Sequence, residues 1–290
     1  MKKLIDLSYI FLLEMKRVLF GKGFIAEVDI TDNCNLRCGH CYHFHGKDDF
    51  RKEELPLDVW ERRFNELHRA GIRLILLVGG EPALRKDVLM LAHSTFPLVH
   101  VITNGTIKIP KEFNHRLYVS IDGCSKTNDS IRGKGVFSRV IRNYSGDKRV
   151  VINMTVMKDN YKELEDVVKI AKRNGFRGVV CNIYTATGVD TPMTIKEERK
   201  EIIGELRRIK SLYPKDFLLS KSMIKWYEHP DHRNSCYWGD KVLHFDVSWR
   251  RRRCFGNNAD CSNCGCLAGA FQSPVGMFRH ARELVRLGFI

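Results

Sequence analysis

The sequence predicts an α/β fold, a partial (β/α)6 TIM-like barrel followed by a small cysteine-rich C-terminal domain, and three observations predict it. Apolar runs rich in Val, Ile and Leu recur at residues 24–31, 73–78, 100–103, 117–121, 150–156 and 179–184. Near-continuous runs of this kind suit strands buried on both faces of a parallel sheet. Amphipathic stretches separate them, and alternation of strand with helix implies right-handed crossovers and a sheet that curls. Finally, five of the ten cysteines crowd between Cys236 and Cys266, in a segment with few helix signals.

The helical stretches have readable ends. Asp58 with Glu61 precedes an apolar repeat that stops at Gly71, Asn160 with Glu163 precedes one that stops at Gly175, and Thr194 with Glu197 opens a third. Each pairs a side-chain acceptor at the cap with an acid three residues on, and the first two add a glycine past the end. Eight repeats would close a barrel, so six leave one side open. The expected organisation is a basic amphipathic segment over residues 1–20, the barrel over 21–215, the cysteine-rich unit over 216–272 and a basic helix over 273–290. In that last helix Phe278, Ala281, Leu284 and Val285 share one side.

Composition narrows the function classes. The chain has 290 residues, of which 43% are hydrophobic, enough for one large core or two unequal ones. Its cysteines fall in two dense groups with metal-like spacing rather than scattered as staples, which fits a reducing cytoplasm. No apolar run approaches the ~18 residues of a membrane span. The early apolar run at 9–13 is flanked by Asp6, Glu14, Lys16 and Arg17, which also argues against a secretory signal. The net charge of +15 favours anionic partners. Arg250 to Arg253 and the dispersed Arg279, Arg282 and Arg286 would suit nucleic acid, an anionic membrane surface, thiolate-bound iron-sulfur clusters or a plain solvated face.

Chemistry concentrates in Cys34-Asn35-Leu36-Arg37-Cys38-Gly39-His40-Cys41, which offers three thiolates and withholds a fourth. A four-iron cluster on three protein sulfurs keeps one iron open to a substrate or cofactor. This loop follows the first strand, Gly79-Gly80-Glu81-Pro82 the second, Thr103-Asn104-Gly105 the third and Ser120-Ile121-Asp122-Gly123 the fourth. All four should converge on the rim at the carboxyl ends of the strands, where barrels of this kind carry function. Gly79 and Gly80 would let backbone approach a ligand closely. Asn153 and Thr155, two apart on the fifth strand, should face the same side.

The CxxxCxxC pattern, with an apolar strand before it and Tyr42 after it, resembles the signature of the radical S-adenosylmethionine (SAM) superfamily. The resemblance implies that Cys34, Cys38 and Cys41 bind a 4Fe-4S cluster whose open iron chelates SAM. It implies further that one electron, from a reductant such as ferredoxin or flavodoxin, breaks the sulfonium bond to give a 5'-deoxyadenosyl radical. Gly79, Gly80, Glu81 and Pro82 match the family's GGEP motif, which there hydrogen-bonds the SAM amino group. Asn104, Ser120 and Asp122 match rim positions that touch ribose, carboxylate or substrate, although Asn and Asp before Gly also suit plain turns. Arg132 resembles a family segment after the fourth strand and could grip a carboxylate bidentately; a surface salt bridge is the other reading.

Cys236, Cys254, Cys261, Cys264 and Cys266 resemble a SPASM/twitch-like auxiliary-cluster extension, which implies a second 4Fe-4S cluster. Zinc and a redox dithiol remain chemically open. The pattern departs from the family in two places: Trp249 stands where a glycine is expected, and Cys264-Gly265-Cys266 is unusually close, so one thiol is a candidate bystander. Cys124 and Cys181 read as buried, unligated thiols, with Cys124 on the rim. The functional expectation is a SAM-cleaving radical enzyme acting on an unactivated carbon of a peptide or protein, or of a lipid or isoprenoid. The lipid reading rests on the basic amphipathic N-terminus, an arrangement similar to adenosylhopane synthase-like enzymes, and a nucleic-acid substrate is suggested by charge alone. The alternative is a non-catalytic iron-sulfur or zinc protein that binds an anionic partner.

Overall fold

The computed structural model describes residues 23–44, 54–187, 193–195, 197–234, 236, 238–239, 242–254 and 259–271, together with Leu12, Leu13 and Met15. The helix expected over 273–290 and nearly all of the segment expected over 1–20 lie outside the described residues. The six expected strands form as β1 (Ile25–Asp29), β2 (Leu74–Val78), β3 (Leu98–Thr103), β4 (Arg116–Ser120), β5 (Val150–Val156) and β6 (Gly178–Ile183). A seventh, β7 (Leu243–Phe245), comes from the cysteine-rich segment and pairs with Ala26 to Val28 of β1. All neighbours are parallel, in the order β6-β5-β4-β3-β2-β1-β7. This is the open α/β sheet of a partial barrel.

Strand alternation divides the molecule into two environments. Ala26 and Val28, Ile75 and Leu77, Val99 and Val101, and Leu117 and Val119 join the main core. The intervening positions Glu27, Leu76, Ile102, Ser120, Asn153 and Asn182 line a cavity on the sheet's other face. Among the described residues, helices lie between the strands: α1 (Leu57–Arg69), α2 (Lys86–Thr95), α3 (Ser125–Arg132), α4 (Val136–Tyr144), α5 (Leu164–Arg173), α6 (Arg199–Leu212) and α7 (Lys221–Trp226). Helix α1 buries Trp60, Phe64 and Leu67, at the four- and three-residue spacing of one helix face. Each such side chain stabilises the fold by about 1.5–3 kcal/mol. Leu13 packs on Phe24 and Leu98, beside the amino ends of β1 and β3.

Helix starts differ from the expected capping boxes. Pro56 occupies the cap of α1, and Asp58 sits in the first turn, 2.9 Å from Arg62. The Asn160 side chain instead spans Asp122 O and Thr155 O while accepting from Met157 N, and Glu163 accepts from Cys124 N and Thr127 Oγ1. Tertiary partners thus divert both side chains from the helix end. The third expected start lies upstream of α6, which is capped at Glu198 without a side-chain bond. Gly71 and Gly175 do close α1 and α5, with φ of 100° and 63°.

Both outer strands of the six-strand barrel, β1 and β6, are covered. Val179 N donates to Asp216 O and Leu218 N to Val179 O, each at 2.8 Å, while Ile183 N donates to Gly265 O at 2.9 Å. A Cβ on Gly178 would stand 2.5 Å from Asp216 O, so this edge needs a residue without a side chain. With β7 on β1, residues after α6 engage the first and the sixth strand and leave little edge exposed. Among the described residues no helix is long and apolar enough to cross a membrane.

Candidate functional site

The cysteine loop leaves the carboxyl end of β1 and is clamped by backbone. Ile30 N donates to Val78 O at 3.0 Å, Gly80 N to Thr31 O at 2.8 Å and Glu81 N to Asn33 O at 2.8 Å. A Cβ on Gly79 would come within 2.4 Å of Thr31 O, and one on Gly80 within 2.2 Å of Asn33 O. The glycines therefore serve first to let β2 lie against the start of the cysteine loop, a different reason from the expected approach to a ligand; both also line the cavity. Within the loop, Asn35 Nδ2 donates to Thr106 Oγ1 at 2.8 Å, and Cys41 N donates to Cys38 O at 3.2 Å. His43 Nε2 lies 2.9 Å from Asp32 Oδ1. Cys34, Cys38 and Cys41 are free, half-buried and on the cavity wall.

The rim motifs fall around these thiols. Asn104 donates from Nδ2 to Asn35 Oδ1 at 2.9 Å and toward Cys34 Sγ at 3.7 Å, and it lines the cavity with Ser120, Asn153 and Thr155. Glu81 is fully buried and accepts from Ala83 N, Thr103 Oγ1 and Asn104 N at 2.8, 2.6 and 2.7 Å. Its carboxylate braces the end of β3 against the end of β2, and burial raises its pKa despite these bonds. Pro82 opens a short 3-10 turn over Pro82–Leu84. Glu81, Pro82 and Asp122 are not among the cavity-lining residues.

Asp122 is fully buried below the rim, where it accepts from Thr155 N at 2.8 Å. Its Oδ2 lies 2.6 Å from Arg132 Nε and 3.4 Å from His40 Nε2. Arg132, the last residue of α3, also reaches Cys38 Sγ through Nη1 at 4.0 Å and lies 3.5 Å from His40 through Nη2. Burial pushes the Cys38 thiol up to about 11, and the Arg132 guanidinium opposes that rise. Burial raises the Cys34 thiol as well.

Sequence reading missed an ion cluster at the edge between β1 and β7. Glu27 Oε1 sits 3.2 Å from His244 Nδ1 and 3.0 Å from Arg252 Nη2, and Arg252 also pairs with Asp29 at 2.9 Å. Burial alone would raise Glu27, but His244 and Arg252 outweigh it and hold the carboxyl at about 2. For Asp29, burial dominates and its pKa is raised. Two acids at alternate positions of an otherwise apolar strand were the available signal, since buried charges need partners.

A profile of the radical SAM superfamily matches residues 28–202. The chain belongs to that superfamily. It is similar to Fe-coproporphyrin III synthase of Methanosarcina barkeri, 28% identical over 210 residues that cover 65% of this chain and 52% of the relative. It is also 33% identical to the sporulation killing factor maturation protein SkfB of Bacillus subtilis, over 50% of this chain and 38% of that one. This radical SAM chain thus spans about half the length, or less, of these relatives. Among solved structures, SuiB of Streptococcus suis bound to S-adenosylmethionine superposes with a TM-score of 0.64 at 15% identity, covering 89% of this chain and 70% of SuiB. SuiB bound to its precursor peptide SuiA gives 0.60 at 17% identity, covering 92% and 70%. Both share the fold.

The donor set of this radical SAM chain suits a thiolate-held iron cluster. Three free sulfurs stand on one cavity wall, and N–H groups of Asn104 and Arg132 point at two of them. The C-terminal thiols are packed differently. Cys236 and Cys254 are buried with Trp238 and Val242 against Ile25 and Leu76. Cys261 is half-buried in a 3-10 turn, Cys264 is buried with its N–H on Pro230 O at 3.0 Å, and buried Cys266 reaches the cavity wall. Burial pushes Cys264 up to about 11, with Cys236 and Cys261 adding to it; burial also raises Cys266, with Cys264 and Cys254 adding. Among the described residues, no group of three His, Cys, Asp or Glu side chains is gathered as a single-ion site.

Trp249 takes a left-handed backbone, φ 62°, which accounts for the glycine expected there. Its ring stacks on Phe245 at 4.4 Å and meets Trp60 edge-on at 5.7 Å. Cys181 is buried on β6, whereas Cys124 is half-buried at the cap of α3 and is not among the cavity-lining residues.

Proposed function

We propose that this chain is a radical SAM enzyme in which Cys34, Cys38 and Cys41 hold a 4Fe-4S cluster and the adjoining cavity takes SAM. When bound, the cluster and SAM supply one-electron cleavage of the sulfonium bond and a 5'-deoxyadenosyl radical that attacks an unactivated carbon. The observation that carries this reading is the gathering of three free thiols on the wall of one cavity, with Gly79, Gly80, Asn104 and Ser120 beside them. The chain's own residues then orient and shield. Ser120, Asn153, Thr155 and Asn182 present hydroxyl and amide groups that can fix a polar cofactor, while Leu36, Leu76, Val78 and Trp238 keep water from the reacting region. Glu81 acts indirectly in this reading, by holding the Asn104 backbone where its side chain meets the cysteine loop.

For the substrate we favour a peptide or protein side chain over a lipid or isoprenoid. SkfB is named as a maturation protein, and SuiB is described with a precursor peptide bound. The lipid reading depends on residues 1–20, nearly all outside the described residues. In this proposal Cys236, Cys254, Cys261, Cys264 and Cys266 supply the ligands of a second 4Fe-4S cluster, with zinc as the alternative metal, and a ferredoxin or flavodoxin supplies the electron in a cytoplasmic setting.

The test is release of 5'-deoxyadenosine from SAM by anaerobically reconstituted protein under strong reductant. The expected result is turnover in the wild type that Cys38→Ala abolishes. Iron binding without SAM cleavage would instead favour a non-catalytic iron-sulfur protein whose basic surface holds an anionic partner.

A further inference from the structure

We infer that Arg132 raises the reduction potential of the cluster held by the early cysteines, by presenting a buried cation to the Cys38 sulfur while Asp122 limits that cation's strength. The inference rests on the functional reading above and deepens it. Sequence alone suggested that Arg132 grips a carboxylate of the cofactor or sits in a surface salt bridge. The structure adds a further role: Arg132 lines the cavity and also faces the cysteine loop. Each guanidinium nitrogen faces a neighbour: Nε lies 2.6 Å from Asp122 Oδ2 as an ion pair without hydrogen-bond alignment, Nη1 lies 4.0 Å from Cys38 Sγ and Nη2 lies 3.5 Å from His40. Nor is the pair at the surface, since Arg132 is 7% exposed and Asp122 is 0% exposed.

The surroundings fix this arrangement. Asp122 N donates to Asn128 Oδ1 at 3.0 Å, Asn160 Nδ2 donates to Asp122 O at 2.9 Å, and Thr155 N donates to the carboxylate at 2.8 Å. The carboxylate therefore has no freedom to follow a retreating arginine. On the other side Gly39 N donates to Ile131 O at 3.1 Å, which stitches the cysteine loop directly to the last turn of α3. Gly133, with φ 117°, lets the chain turn away straight after Arg132. A planar fork held at its Nε end by a fixed carboxylate aims its other end at one sulfur, a task for which the point charge of lysine is a poor substitute.

The electrostatic consequence has a sign. Reduction adds negative charge to a cluster, and a cation or N–H donor at a ligating sulfur favours the reduced state, raising the potential. Asp122 partly neutralises the guanidinium and so holds the potential down. Removing the cation and removing its counter-charge must then act in opposite directions, which a merely structural role would not produce.

The experiment is an EPR-monitored redox titration of the anaerobically reconstituted full chain without SAM, following the cluster whose signal changes when SAM is later added. Arg132→Met should shift the midpoint to more negative values, Arg132→Lys should shift it less, and Asp122→Asn should shift it to more positive values. If Arg132→Met fails to retain the cluster, Arg132→Lys and Asp122→Asn carry the same test. A SAM-responsive cluster whose midpoint is unmoved by the Arg132 substitutions, or moved in one direction by both Arg132 and Asp122 substitutions, overturns this inference alone. A wild-type chain without any SAM-responsive cluster overturns the functional reading and this inference together.

Discussion

The two cysteine groups use the same side chain in opposite environments. Cys34, Cys38 and Cys41 hang from one strand end, half-buried and facing a cavity, and their neighbours are polar side chains of the rim. Cys236, Cys254, Cys264 and Cys266 are buried, and the segment that bears them is pinned to the first and the sixth strands of the sheet. The contrast teaches that cysteine spacing alone does not distinguish the groups, whereas exposure of the thiols separates a group open to a cavity from one mostly packed within the protein. The early group faces the cavity with all three thiols, whereas of the late group Cys266 lines that cavity and Cys261 is half-buried.

The comparison can be broken most forcefully by metal analysis. Two clusters correspond to about eight irons per chain, and one cluster with zinc to about four irons and one zinc. Cys38→Ala should lose the early iron and retain the late metal, and Cys264→Ala should do the reverse. Equal loss from both substitutions would make the two groups one unit. Next in size is Gly265→Ala: the added methyl would stand 2.1 Å from Ile183 O, and displacing this backbone should cost about 3 kcal/mol. Denaturant unfolding checks that loss, with depletion of the late metal ahead of the early one.

An effect of comparable size but electrostatic origin should follow at the ion cluster that joins β1 to β7. Glu27→Gln leaves His244 and Arg252 underpaired and should destabilise the chain by about 3 kcal/mol near neutral pH. The folded Glu27 carboxyl is held at about 2 against an ordinary 4.5. Its contribution is thus present above about 4.5 and lost as pH falls from there toward 2, so the stability gap between wild type and Glu27→Gln should close over that window. A gap that persists at low pH would locate the stabilisation elsewhere. Smallest is Trp249→Gly, where relief of the left-handed backbone, about 1 kcal/mol, offsets part of the lost stacking on Phe245. The net loss should be about 1 kcal/mol by thermal unfolding.

Much of the barrel was legible because its strands are long apolar runs between amphipathic helices. β7 was not, because three residues, Leu243–Phe245, carry no periodic signal and their partner β1 lies far upstream in sequence. The capping residues Asp58 and Asn160 were legible as polar groups near helix starts, but Arg62 of the same helix pairs with the first, and the carbonyls of Asp122 and Thr155 take the second. At the site, motif spacing led to the cysteine loop and to Asn104 and Ser120. It could not reveal that Gly79 and Gly80 answer to Thr31 and Asn33, or that Glu81 and Asp122 turn inward, since these depend on packing between loops distant in sequence. His40 was hidden inside the motif as a spacer residue, and its partner Asp122 shows otherwise.

The claim on which the rest depends is that the early thiols leave one iron free to bind the cofactor. Pulsed electron-nuclear double resonance on the reduced, reconstituted chain, with SAM labelled by 15N at its amino group and 17O at its carboxylate, tests it directly. The expected result is hyperfine coupling from both labels to a cluster that Cys34→Ala, Cys38→Ala or Cys41→Ala removes. A cluster on these cysteines that shows no coupling to either label would contradict it.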